Sequence, residues 1–237
     1  MFLIADIISF LKNPYFGNQQ ILSRKEKYRC LSNLAMLSIL VGMLFFILFI
    51  IENFILKYYG IELKQKNFGF EKGYAILIIS ILGPFYEELL FRLPLSFRKK
   101  DVNASLFTLI GTAGFALLSL FKDVNLNRTE VSLIKYIFII TGAGIIYLFS
   151  SFTSESLGKV KISFGKYIVW GSLIVFTLAH LTNVANFDMR LLPIYLFNLF
   201  PIFFLGTVLS FCRLRLGFFY GFFFHAAWNF LPALLHT

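Results

Sequence analysis

The chain has 237 residues, 58% of them hydrophobic, with 32 Phe and a mean hydropathy of +0.78. That composition excludes a soluble globule, because apolar runs of roughly eighteen residues or more need lipid around them. The net charge of +10 is distributed unequally between the loops of the two sides, so it reads as a topology signal and no nucleic-acid partner is expected.

Met1 to Leu11 is apolar, with Asp6, Ser9 and Lys12 recurring at helical spacing. It lacks a basic n-region and a small-residue cleavage site, which argues for a short helix lying on the membrane surface over a signal peptide. Pro14 and Gly17 end it, and a basic segment with Arg24, Lys25, Lys27 and Arg29 follows. Residues 1–29 are thus expected to form a cytoplasmic, interfacial segment, and 30–237 a single membrane-embedded domain.

Seven spans are predicted within that domain, at about 33–51, 73–95, 104–121, 131–152, 166–187, 190–211 and 216–235. The fold class is therefore all-α, a polytopic transmembrane bundle of about seven helices around a polar intramembrane cavity. With the N-terminus inside, the inner loops hold thirteen Lys and Arg against seven in the outer loops. This predicts a multi-pass protein of the cell membrane with a cytoplasmic N-terminus and an external C-terminus. Cys30 and Cys212 both fall on the inner side, so no disulfide is expected.

The second span carries the stretch around which the chain is organised, Gly83-Pro84-Phe85-Tyr86-Glu87-Glu88-Leu89-Leu90-Phe91-Arg92. Each charge placed mid-membrane costs about 2.5–3.5 kcal/mol on insertion scales, so such groups are functional candidates by default. Glu88 and Arg92 are four apart and can pair on one helix face, whereas Glu87 projects about 100° away without a partner in its own helix. Gly83 and Pro84 loosen the backbone one turn earlier.

Two later spans supply the other polar groups. Phe176-x-x-x-His180 lies in the fifth, with Asn183 beyond it, and His225-x-x-x-Asn229 lies on one face of the seventh. Gly217 and Gly221 precede His225 as a small-residue track for close helix approach. Singly these residues read as packing or helix glue. Together, two carboxylates, two His and an Asn are parts for activating water and stabilising an oxyanion.

Glu87-Glu88-x-x-x-Arg92, then Phe176-x-x-x-His180, then His225-x-x-x-Asn229 resembles the three ordered motifs of the CAAX protease and bacteriocin-processing (CPBP) family of intramembrane proteases, over roughly residues 73–235. The resemblance implies that Glu87 and His180 activate the attacking water, and that His225 and Asn229 steady the tetrahedral oxyanion. Glu88 and Arg92 would hold the first helix and its charge in place, and Phe176 would pack beside the site. The family has been called a metalloprotease, and its chemistry has also been read as metal-free glutamate catalysis. Glu87, His180 and His225 would be the ligands if zinc were bound. There is no His-Glu-x-x-His, and an oxyanion role would occupy His225, so no metal cofactor is expected.

One departure from the usual pattern is that about 90 residues and two extra spans separate the first two motifs. An even insertion keeps the spans antiparallel. Phe115-x-x-x-Ser119 sits where the second motif is commonly found, but offers Ser in place of His. On a helical rise, Glu87 and His225 fall roughly 12–14 Å from the inner ends of their spans, and His180 matches at about 15 Å if its span enters at Trp170. The expected function is hydrolysis of a peptide bond in a membrane-associated peptide or a prenylated or otherwise lipidated protein, in CAAX-type processing or bacterial peptide maturation or self-immunity. The alternative is a non-catalytic membrane scaffold or proton-coupled transporter, whose Glu and His would form a proton relay.

Overall fold

The computed structural model describes residues 2–14, 22–61, 72–120, 152–184 and 187–235. Among these residues it is an all-α bundle. Its helices are α1 (Phe2–Lys12), α2 (Arg24–Tyr58), α3 (Lys72–Leu77), α4 (Gly83–Glu87), α5 (Lys99–Leu120), α6 (Ser154–Ala179), α7 (Leu192–Arg215) and α8 (Phe218–Leu235). Uninterrupted stretches long and apolar enough to cross a membrane are Arg24–Tyr58, Ser154–Asn183 and Met189–Arg215. The expected fourth span lies, but for Phe152, outside the described residues.

Helix α2 runs longer than the expected 33–51 span and starts inside the basic segment, so the 29/30 boundary falls within it. The reason is local: Ser23 accepts from the Glu26 N–H and the Glu26 carboxylate accepts from the Ser23 N–H, a reciprocal cap. Those bonds hold the Glu26 carboxyl below the usual carboxylate range. Helix α6 likewise begins at Ser154, capped by Thr153, so neither Lys166 nor Trp170 marks its start.

Trp170 instead donates its indole N–H to the Leu11 carbonyl at 3.0 Å and packs on Phe203. This ties α1 to the bundle. Phe10 is buried edge-on to Phe211 at 5.5 Å, and Ile7 joins the same core with Leu34, Leu95, Leu173 and Val208. Helix α1 is docked on protein; its apolar stripe cannot tell a lipid surface from a protein one, since both reward the same burial.

Helix α7 is the centre of the bundle, packing against α1, α2, α6 and α8. Its buried run from Leu205 to Arg213 includes Gly206, Thr207 and Ser210, small residues that let neighbours approach. The 72–96 element crosses beside α8 and is not a plain α-helix. Ile78–Leu82 and Glu88–Arg92 are π-helical, and Leu93–Ser96 is a 3-10 turn. Glycine suits the first widening, because a Cβ at Gly83 would lie 3.0 Å from the Ile78 carbonyl oxygen, a tight contact. Pro84, which has no N–H to give, then opens α4. Wide turns of this kind cluster at functional sites.

Candidate active site

The wide turn Glu88–Arg92 brings the first motif against α8 and α6. Glu88 and Arg92 are fully buried, with Glu88 Oε1 3.6 Å from an Arg92 guanidinium nitrogen. The same Oε1 lies 3.2 Å from His225 Nδ1. On its other side His225 presents Nε2 to Glu87 Oε2 at 3.5 Å. One buried imidazole thus spans both carboxylates. Glu87 keeps 28% of its side chain exposed while Glu88 has none, so the adjacent acids occupy different environments.

Phe176 holds the other end of this chain. The Arg92 guanidinium stacks 3.6 Å from its ring centroid, His180 meets its edge at 4.8 Å and His225 lies at 6.2 Å. A desolvated cation–π contact contributes about 2 kcal/mol. Two glycines make the assembly possible. A Cβ on Gly206 would sit 3.0 Å from Phe176 and 3.3 Å from Arg92, and one on Gly221 would sit 3.3 Å from Glu88 Oε2. Gly217, by contrast, is outside α8, with φ +119 in the turn from α7, so it serves the turn and not the packing track.

His180 ends α6 and begins a 3-10 turn through Asn183. Its Nδ1 contacts the Phe176 carbonyl at 2.8 Å. A carbonyl only accepts, so Nδ1 donates in this contact. His180 lines a cavity of about 430 Å³ with Gly42, Phe45, Tyr195, Asn198 and Trp228. Glu87, Glu88, His225 and Asn229 are not in its wall. The lining of this cavity is mostly aromatic and aliphatic, with His180 and several Asn side chains among it. No hydrogen bond or ion pair joins His180 to Glu87 among the described residues. Asn229 donates to the Ile79 carbonyl in the upper wide turn at 3.3 Å.

The zinc alternative asks Glu87, His180 and His225 to converge. They do not form a metal-binding group, and no three His, Cys, Asp or Glu side chains do so among the described residues. Both His225 nitrogens already face carboxylates.

Sequence reading missed a second polar cluster below the first. Arg213 on α7 and Asp101 on α5 are buried and paired at 2.7 Å. Both read as loop charges in a hydropathy scan. The available signal was that Asp101 is the one acid in the basic 96–103 loop.

No curated protein and no solved structure matches the chain. A family description does: the motif-bearing helices, from just before α3 to near the end of α8, match it in one continuous stretch. Residues 70–231, more than half of the chain, fit the model for type II CAAX prenyl endopeptidase Rce1-like proteins, and the chain belongs to that family of membrane proteases.

Proposed function

We propose that the chain is an intramembrane endopeptidase in which Glu87 is the general base for water attack on a peptide carbonyl. The carrying observation is the Glu87–His225–Glu88–Arg92 chain: a partly exposed carboxylate facing a buried imidazole at 3.5 Å, itself beside a buried ion pair. That is the nucleophile–base–orienter logic of acyl-transfer sites, with water as nucleophile.

In this reading water gives its proton to Glu87 as its oxygen bonds to the scissile carbon. The protonated Glu87 then returns that proton to the departing amine as the C–N bond breaks. His180 holds the water from the cavity side. His225, given to the oxyanion by the family resemblance, has both nitrogens turned to carboxylates here, which supports a link between Glu87 and Glu88. Asn229 is the remaining N–H donor for the oxyanion, since its 3.3 Å bond to Ile79 is long enough to exchange.

The family acts on membrane-associated peptides, and the aromatic cavity beside His180 suits a substrate presented from lipid. The proposed substrates are prenylated or otherwise lipidated peptides of CAAX type. The test is cleavage of an internally quenched farnesylated CAAX peptide by the full chain in liposomes, with Glu87→Gln beside wild type. Cleavage by wild type alone supports the assignment. Equal cleavage by both removes Glu87 as the base. A parallel comparison of membrane proteomes with wild type and Glu87→Gln identifies the native peptide as the one that accumulates uncut.

A further inference from the structure

Four consecutive main-chain carbonyls under the candidate site, Leu90 to Leu93, accept hydrogen bonds from side chains of three other helices. Ser105 on α5 donates to Leu90 at 3.0 Å and Ser172 on α6 donates to Phe91 at 2.6 Å. Arg213 on α7 donates through Nε to Arg92 and through a terminal nitrogen to Leu93, both at 3.3 Å. Arg213 is itself held by Asp101 at 2.7 Å. Asp101 also accepts from Ser96 at 2.6 Å and from Arg98 at 2.8 Å.

A wide turn running into a tight one disrupts the regular ladder, and a lipid-embedded helix has no water to take the freed carbonyls. Side-chain donors must do so. Their directions then fix the rotation of the Glu88–Arg92 turn about its own axis. Rotation of that turn decides whether Glu88 reaches His225, and hence whether His225 reaches Glu87.

We propose that Arg213, clamped by Asp101, is a positioning residue for the reaction: it sets the rotation of the wide turn that presents Glu88 and Arg92 to His225. It touches no reacting atom. Its part is to keep Glu87 and His225 in register, and a misplacement near 1 Å costs on the order of 10²-fold in rate.

This inference rests on the protease reading above, and the experiment separates the two. Full-length variants in liposomes cleave the quenched farnesylated peptide, with kcat, KM and the pH–rate profile measured separately. Arg213→Met should lose kcat by about 10²-fold with KM within about threefold and a displaced pH profile. Arg213→Lys, still a donor, should recover most of the loss. The charge swap Asp101→Arg with Arg213→Asp restores an ion pair but not a donor to the carbonyls, so it should stay impaired. Recovery by the swap, a loss confined to KM, or a wild-type profile in Arg213→Met overturns the inference.

Should Arg213→Met fail to fold, the pair Ser105→Ala with Ser172→Ala removes two donors without stranding a charge. A several-fold lower kcat at unchanged melting temperature supports the proposal, and a wild-type kcat sinks it. A second readout needs no cleavage: in Glu87→Cys with Cys30→Ser, adding the serine pair should change the alkylation rate of the introduced thiol by maleimide. Cys212 is fully buried and stays silent. An unchanged rate overturns the positioning role even if wild type cleaves nothing, an outcome that by itself overturns the protease reading.

Discussion

Arg92 and Arg213 are buried arginines, each paired with a carboxylate, yet they are held in opposite ways. Around Arg213 the contacts to Asp101 run from 2.6 to 2.8 Å counting Ser96 and Arg98, and no buried side-chain atom of Asp101 or Arg213 lacks a partner. Around Arg92 the ion pair is 3.6 Å long, and all three guanidinium nitrogens lack a hydrogen-bond acceptor. Glu87 Oε2 and Glu88 Oε2 are unsatisfied as well. Buried polar networks stabilise when complete and carry strain when incomplete. The lower cluster is a fastening; the upper one keeps unspent hydrogen-bonding capacity.

The sharpest way to break that contrast is at Glu87. Glu87→Gln keeps the shape but removes the base, so activity should fall by about 10²–10⁴-fold in a protein that still folds and inserts. Peptide cleavage and size-exclusion behaviour check both halves of the statement. Next comes Glu88→Gln. It leaves Arg92 buried without its countercharge, a change that typically costs about 3–5 kcal/mol, so yield and thermal stability should fall along with activity. If Glu88→Gln is stable but dead while Glu87→Gln still cleaves, the two roles are exchanged.

Phe176→Leu should have a smaller effect, removing the stacked face under Arg92 and about 2 kcal/mol of stability by thermal melting. A melting temperature equal to wild type would show that Arg92 needs only Glu88. Smallest of all, chelators should leave cleavage unchanged and the purified protein should carry no stoichiometric zinc by elemental analysis. Loss on chelation with recovery on added zinc would overturn the metal-free reading.

The upper cluster was legible in the sequence because its charges contradict their surroundings. Glu87, Glu88, Arg92 and His225 interrupt apolar runs, and the four-residue spacing of Glu88 and Arg92 announces a pair. Arg213 and Asp101 were not legible, since charges at span ends have a sufficient explanation as topology signals. The two wide turns were hidden for another reason: widening a helix by one residue leaves the hydropathy pattern intact and changes only which carbonyls are free. The link from His225 to both carboxylates was equally invisible, because spacing within α8 says nothing about which face of the 72–96 element it meets.

The docking of α1 has a consequence for how the chain is made. Phe10 closes against Phe211, and Leu11 against Trp170, so α1 completes its contacts only after α7 has been synthesised. At roughly 5–20 residues per second that is an interval of about 10–40 s. Until then Phe10 lacks its Phe211 partner, and the bilayer surface is a place where the apolar stripe of α1 can wait. The interfacial helix expected from the sequence is then the stage that precedes docking.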